Sequence, residues 1–377
     1  MQSENYVNYM EISRADLWQN AQAVKEYVDV SVIGVVKCDG YGVGVAEAAR
    51  AWQQAGAAMF AVSVPEEALE LRRKGFTEDI LLLSPVADPR MLNVLLEHKI
   101  ILTVTGIHNA QFYKRNAGRL PIRAHIAIDT GMGRFGIRWT DMAQLQAVYE
   151  VDHICYEGIF SHFAKSYERE YAQTKRQLER FLGLTDSLTA LGYPVGIRHI
   201  ANSCAALRFP QTRLDAVRIG SALVGVLCTE VPVPLRRVGT FKAQVVDRRQ
   251  LLPGDTTGYG AVCRVKEHTN AIVVAIGRQD GFGYLNRPDR FGPGEMIRYM
   301  YRLLRRFAVR PWVEYHGQYL PLVGRIGNEY TLFDAAGVEI GPGDHVTARV
   351  PLLFSHRRRF FQTDPERVPV PVSGNNT

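Results

Sequence analysis

The stretch SVIGVVKCDGYGVGVAEAARAWQQAG, residues 31–56, decides the fold. It opens with SVIGVVK (31–37), a short run of Val and Ile closed by a lysine. That is the composition of a strand buried on both faces. It ends with AEAARAWQQAG (46–56), a helix-period segment with a glycine stop. Working outward, the same alternation repeats. Further strands are expected at MFAVS (59–63), DILLLSP (79–85), IILTV (100–104), RAHIAID (123–129), YEGIFSH (156–162), GIRHIAN (196–202) and DAVRIG (215–220), eight in all. Helical segments lie between them at 65–76, 88–99, 140–151 and 174–192; the eighth helix is the least defined member. Eight strand–helix alternations favour a (β/α)8 barrel over an open doubly wound sheet.

After about Pro234 the pattern turns to strands separated by turn residues: TFKAQVVDRRQL, NAIVVAIG, GQYLPLVGRIG, YTLFDAAG and HVTARVPLLF. The fold class expected is α/β plus β, with an N-terminal (β/α)8 TIM-like barrel over 12–234 and a C-terminal all-β domain over 235–377. The early strand YVNYMEIS (6–13) fits either domain, and residues 1–11 are a candidate extra strand of the second. A basic amphipathic stretch at 294–311 interrupts that domain.

The chain has 377 residues, 46% of them hydrophobic, enough for both domains. A net charge of +7 suits a protein that binds a phosphate cofactor and carboxylate substrates. No zinc-finger, RNP or P-loop pattern points to nucleic acid. The arginines at 357–359, and Arg298, Arg302, Arg305, Arg306 and Arg310, read as solvated faces. Five cysteines without CxxC spacing argue against a disulfide framework or a metal site. No secretory signal and no bilayer-length apolar run is seen, so a cytoplasmic protein is expected.

In a parallel barrel, catalytic groups stand at the C-terminal ends of the strands. Here Lys37 closes strand one. Asp129 closes strand five, with Arg134 just beyond. His162 closes strand six, Asn202 and Ser203 strand seven, and Arg218 and Gly220 strand eight. Singly, each has a plain explanation: a strand-end lysine snorkels to water, a lone histidine is a satisfied core residue, and Arg134 forms a rim ion pair with Asp129. Together on one rim they favour a site. The loops IANSCAA (200–206) and RIGSALVG (218–225) are small and glycine-containing, and the Ser203 hydroxyl with the Gly220–Ser221 backbone offers an anion nest.

These residues resemble the alanine racemase family. VVKCDGYGVG (35–44) resembles its pyridoxal 5′-phosphate (PLP) lysine motif, and IDTGMGRFGI (128–137) its next signature. GIFSHFA (158–164), HIANSCAALRFP (199–210) and VRIGSALVGV (217–226) follow in the family's order. GYGAVCRV (258–265), AIGRQDGF (275–282) and VGRIGNEYTLFD (323–334) are similar to motifs of its C-terminal β domain. The resemblance covers nearly the whole chain.

It implies a PLP-dependent racemase that interconverts L- and D-amino acids by two bases, Lys37 and Tyr259. Lys37 would carry PLP and serve one face of the substrate Cα; Tyr259 would reach the other face from the partner subunit of a head-to-tail homodimer. Tyr41 would hold the cofactor phosphate, with Asn202, Ser203, Gly220 and Ser221 around it. Arg218 would meet the pyridine nitrogen, and His162, in front of Arg218, would be the hydrogen-bond partner of Tyr259. Arg134 would contact the cofactor phenolate oxygen or the substrate carboxylate, and Asn328 the substrate. No metal is implied.

The sequence also departs from the family pattern. The usual lysine before the DTGMGR motif is Ala127. The Gly-His-Gly that ends the lysine motif is Gly42-Val43-Gly44. Cys-Met-Asp becomes Gly327-Asn328-Glu329, and a usual tyrosine is Arg278. The C-terminal tyrosine has no counterpart near 350–354, and 285–315 is an insertion. These changes concern the mouth and the substrate side, so a larger or more polar substrate than alanine, such as serine or an acidic amino acid, is expected. The competing readings are a PLP-dependent decarboxylase of the same fold type, with Cys263 near Tyr259; a non-catalytic PLP-binding protein; and a basic binding module built on 294–311.

Overall fold

The computed structural model describes residues 6–362, apart from 169, 170, 228, 285–291, 293, 295, 298, 302, 303, 305–310, 336, 355 and 356. The basic stretch at 294–311, with Arg298, Arg302, Arg305, Arg306 and Arg310, thus lies largely outside the described residues. The chain forms two compact units, Arg14–Val238 and Met1–Ser13 with Gly239–Thr377.

The first unit is a closed barrel of eight parallel strands: Ser31–Val35, Met59–Val62, Ile80–Leu82, Leu102–Val104, Ile122–Asp129, Ile154–Phe160, Ile197–His199 and Ala216–Ile219. All eight lie where the apolar runs put them. Strand eight pairs in parallel with strand one, Val217 opposite Val32, and so closes the ring. A bridge from Leu81 to Ile101 links strands three and four, and Arg218 N–H donates to the Ala201 carbonyl across strands seven and eight.

The barrel interior has two chemically distinct halves. Ile33, Val35, Met59, Ala61, Leu81, Ile101 and Ala216 pack into an apolar cluster from strands one to four and eight. On strand five, alternate residues Arg123, His125, Ala127 and Asp129 share one face. Arg123 binds Asp79 through both terminal nitrogens and Glu157 through Nε. His125 meets His199 of strand seven at 2.8 Å.

The missing eighth helix is Arg14–Val28, at the start of the unit rather than after strand eight. Its buried residues Leu17, Ala21, Val24 and Val28 follow helical spacing. Buried Asn20 ties it to the chain that follows strand eight: Nδ2 donates to the Leu223 and Arg236 carbonyls at 2.9 and 2.7 Å. The helix Ile107–Asn116 was also not anticipated; its amphipathic signal is diluted by polar residues on most of its turns.

In the second unit, the long strand Gly239–Leu251 is the spine. Asn8–Ile12 pairs with it antiparallel, and His345–Ala348 pairs on its other side. Beyond an irregularity between Val245 and Asp247, it pairs with Thr269–Val274, which pairs with Thr331–Asp334. Gln318–Pro321 and Trp312–Tyr315 complete the sheet, and a bridge from Leu322 to Phe333 bends it back on itself. The arginine run at 357–359 is solvated only in part: Arg358 is exposed, while Arg357 and Arg359 are half-buried. Arg357 Nε donates to buried Asp280 at 2.6 Å, Arg358 lies over the Tyr6 ring, and Arg359–Phe361 is a strand beside Asn8–Ile12.

Gly34, in strand one, lies against Trp52 of the helix Val45–Gln54; a Cβ at this position would stand 2.6 Å from the Trp52 Cγ. Gly34→Ala is therefore expected to cost about 1–3 kcal/mol by overpacking, read as a lower denaturant midpoint at unchanged slope.

Candidate active site

Strand one hands the chain to an uncommon turn. After Lys37, residues Cys38, Asp39, Gly40 and Tyr41 all have left-handed backbone, with φ of 55, 53, 62 and 56°. For the three residues with a Cβ this costs roughly 1–2 kcal/mol each. Specific bonds hold the turn. Asp39 N–H donates to Glu67 Oε1 at 3.1 Å, while Glu67 Oε2 accepts from Ser63 N–H at 3.2 Å. Asp39 Oδ1 accepts from Val45 N–H, and its carbonyl accepts from Gly42 and Gly44. The strain is thus confined to the residues that aim Lys37 and Tyr41.

Lys37, Tyr41, Arg134, His162, Asn202, Ser203, Arg218, Gly220 and Ser221 line one cavity of about 450 Å³ in the barrel unit. Ala127, Asp129, Phe160, Ser161 and Cys204 share it. Tyr259 and Asn328 belong to the other unit.

Arg218 is the buried centre of this cavity, 4% exposed. Nη1 donates to His199 Nδ1 at 2.7 Å and to the His199 carbonyl at 2.8 Å. Nη2 donates to the Ser161 carbonyl at 2.6 Å and to His162 Nδ1 at 3.1 Å. Nε–H donates to no protein atom among the described residues. Burial, and then Arg134, pull the guanidinium down to about 9, which leaves it charged at neutral pH.

A guanidinium only donates, so both histidines must accept. His199 therefore carries its proton on Nε2 and donates to His125 Nδ1. His162 likewise keeps its proton on Nε2. Burial keeps all three neutral: it brings His125 to about 4 and His162 to about 3, with Arg123 and Arg218 adding to the respective shifts, and holds His199 well below its ordinary value.

At another part of the wall Tyr41 stands against Gly220, where an added Cβ would overlap the phenol oxygen. Gly220 N–H donates to Ser203 Oγ at 3.0 Å, and burial raises the Tyr41 hydroxyl so that it stays protonated. Tyr41, Ser203 and Ser221 together present hydroxyl groups, and the Ser221 N–H has no protein acceptor among the described residues. Asn202 works one step back: Oδ1 accepts from Ala205 N–H and Ser166 Oγ, fixing the turn that carries Ser203.

The rim ion pair between Asp129 and Arg134 is not formed. Asp129 Oδ1 accepts instead from the N–H groups of Gly131, Met132 and Gly133. Those bonds hold its carboxyl below the usual range against the opposing effect of burial. Arg134 makes no ion pair or side-chain hydrogen bond among the described residues, and lies 5.7 Å from the Phe135 ring centroid.

In the second unit, Tyr259 is 87% exposed at the tip of a small hairpin, Thr256–Thr257 with Cys263–Arg264. Gly258 and Gly260, with φ of 71 and 77°, let the chain turn there. Asn328 is exposed, and its carbonyl accepts from Gln279 N–H, which joins its loop to the turn that carries Arg278. Sequence reading passed over His125, His199, Glu67 and Gln177. The two histidines did leave a signal, as polar residues on the inward period of otherwise apolar strands.

A lysine amine, a buried donor-only cation and a hydroxyl-lined pocket at the rim of a parallel barrel suit an enzyme built around a phosphorylated cofactor. The sequence profiles of the alanine racemase N-terminal and C-terminal domains match residues 12–228 and 238–353, and the chain belongs to the alanine racemase family. An alanine racemase of Desulfosudis oleivorans is 32% identical over 332 residues, covering 84% of this chain and 80% of that protein. An amino-acid racemase of Enterococcus faecalis is 28% identical over 339 residues, 87% of this chain and 45% of that longer protein. The crystal structure of alanine racemase from Bacillus anthracis with bound L-Ala-P matches with a TM-score of 0.80 at 28% identity, over 95% of each chain.

Members of this family depend on PLP. The residues present fit that group. Lys37 supplies the amine, and the glycine at 220 leaves the room beside Tyr41 that a Cβ would fill. The hydroxyls suit a phosphate, and the Arg218 Nε–H suits an acceptor nitrogen. Among the described residues no group of His, Cys, Asp and Glu is suited to a metal ion, and no helix is long and apolar enough to cross a membrane.

The buried histidines make stability depend on pH. Unfolded, they take up protons near 6.5; folded, His125 and His162 do so only at about 4 and 3. Their contribution is complete above the unfolded value and is lost as pH falls below it. The thermal midpoint should thus fall steadily between about pH 6.5 and 4.5, above the range where the lowered carboxylates titrate. A flat midpoint across that window would contradict neutral burial of this cluster.

Proposed function

We propose that the protein is a PLP-dependent amino-acid racemase that interconverts L- and D-amino acids, with Lys37 and Tyr259 as its two acid/base groups. The observation that carries this reading is the convergence of Lys37, Arg218 and the Tyr41–Ser203–Ser221 hydroxyls on one cavity. When bound, PLP supplies the electron withdrawal that makes the substrate Cα–H acidic.

Lys37 would hold the cofactor, and its amine, once displaced by the substrate amine, takes or returns the proton on one face of Cα. Tyr41, Ser203 and the Ser221 N–H would hold the phosphate, with Asn202 and Gly220 setting their positions. Arg218 would donate to the pyridine nitrogen. As a donor-only group that stays charged at neutral pH, it would leave that nitrogen unprotonated.

Racemisation needs a second proton donor on the opposite face. Tyr259 of the partner subunit would fill that role in a head-to-tail homodimer. Its high exposure within one chain, on a glycine-hinged hairpin, supports this. His162 would steady the phenol. With Nδ1 occupied by Arg218, its Nε2–H is a fixed donor, and a donated hydrogen bond favours the tyrosinate. Arg134 and Asn328 would bind the substrate carboxylate. Alanine at 127 and arginine at 278 leave room and charge for a larger or more polar amino acid than alanine, such as serine. A cytoplasmic setting is part of this reading.

The test is a panel of L-amino acids in deuterium oxide with the PLP-loaded protein, followed by NMR for loss of the α-proton and by chiral analysis of the product. Exchange with inversion is expected and names the substrate. Carbon dioxide release would replace racemisation by decarboxylation, and no exchange with any amino acid would point to a non-catalytic PLP-binding protein. Lys37→Ala should abolish exchange. Tyr259→Phe should lower racemisation by about 10²–10⁴-fold while the substrate still binds; unchanged racemisation would remove Tyr259 from the mechanism.

Gly220→Ala pushes Tyr41 aside. It is expected to weaken PLP affinity about tenfold, the loss of roughly one good hydrogen bond, measured by equilibrium titration of the apo-protein.

A further inference from the structure

Beneath the barrel rim, one buried amide joins three segments. Gln177 is 1% exposed and projects from the helix Ala172–Ala190. Its Oε1 accepts from Ala164 N–H at 3.0 Å. Its Nε2 donates to the His162 carbonyl at 3.0 Å and to Thr130 Oγ1 at 3.2 Å. One helical turn on, Arg180 donates to the Thr130 carbonyl at 2.8 Å and lies over the Trp139 ring. Thr130 and Ser161 share a buried hydroxyl–hydroxyl bond of 2.8 Å. The helix thus grips both the carbonyl and the hydroxyl of Thr130 while it holds the backbone on either side of Phe163.

Thr130 is where the loop carrying Arg134 leaves strand five. That loop contains Gly131, Gly133 and Gly136, with φ of 131, 73 and 108°, so its own backbone restrains it little. Nothing among the described residues grips the Arg134 side chain, and Ala127 on the same cavity wall has no polar atom to offer. The place of the guanidinium is therefore set at the base of the loop, by the Asp129 turn and by the grip on Thr130.

We propose that Gln177 and Arg180 are positioning residues that set where Arg134 stands relative to His162, and through it the affinity for the substrate carboxylate. The proposal rests on the reading that Arg134 binds that carboxylate. An amide that satisfied only its own helix would not need all its donors on two different active-site loops.

The test uses the PLP-loaded enzyme with Gln177→Leu, Gln177→Glu and Arg180→Met, each alone and combined with Arg134→Ala. Arg180→Met keeps the test open should the buried variants fail to fold. With Arg134 present, KM is expected to rise roughly tenfold or more with kcat little changed. The absorbance of the bound cofactor should stay at its parent position. With Arg134→Ala in place, the same substitutions should change KM by less than about twofold, because residues acting through one group are not additive. Equal losses in both backgrounds, or a fall in kcat at constant KM, would overturn the proposal. If Arg134→Ala raises KM and the Gln177 and Arg180 variants do not, the proposal alone falls. If Arg134→Ala leaves KM unchanged, the reading of Arg134 falls and takes the proposal with it.

Discussion

A single buried cation, Arg218, sets the terms for the barrel. A charge removed from water is costly unless its donors are all satisfied. Arg218 meets the requirement at Nη1 and Nη2 with main-chain carbonyls and two imidazole nitrogens, all neutral, and with no carboxylate in contact among the described residues; only its Nε–H is left to the cavity. Its positive charge is therefore not cancelled locally and remains available to an anionic or acceptor ligand in the cavity. The same bonds dictate the protonation of its neighbours. Because Arg218 can only donate, His199 and His162 have one permitted tautomer each, and His125 inherits its own from His199.

This arrangement explains why the interior is divided. Strands one to four and the start of strand eight fill the barrel with Ile, Val, Met, Leu and Ala, which gives rigidity without polar demands. Strands five to eight carry the polar column from Arg123 through His125 and His199 to Arg218. A polar column is safe only if nearly every member is paired. Here the His125 Nε2 is an exception, buried and without a partner among the described residues. The glycine at 158 is part of the same design, since a Cβ there would meet the His125 ring at 2.7 Å.

Around this fixed centre the strained and adaptable parts are kept apart. The left-handed turn after Lys37 is costly, and Glu67 and Asp39 restrain it through backbone N–H groups rather than through Lys37 itself. The amine is left free for chemistry while its Cα is fixed. The Arg134 loop follows the opposite plan, with flexible glycines and a firm base.

The sequence by itself determined the barrel, because short Val- and Ile-rich runs at regular spacing have few other ways to bury both faces. It also determined which residues crowd the strand ends, because strand direction alone sends Lys37, His162, Asn202 and Arg218 to one rim. It could not fix the origin of the eighth helix, since Arg14–Val28 has an ordinary amphipathic pattern and only the closing of the ring shows where it belongs. It read the arginines at 357–359 only as a solvated face, because the charge is legible locally whereas the buried carboxylate of Asp280 that receives Arg357 and the Tyr6 ring under exposed Arg358 are remote in the chain. The tertiary structure alone decided that Asp129 serves the backbone rather than Arg134, that His199, itself bonded to His125, orients Arg218, and that Gln177 reaches two loops. The last two depend on distances between segments far apart in sequence, and the first on the path of a local turn; hydrophobic periodicity carries no record of either.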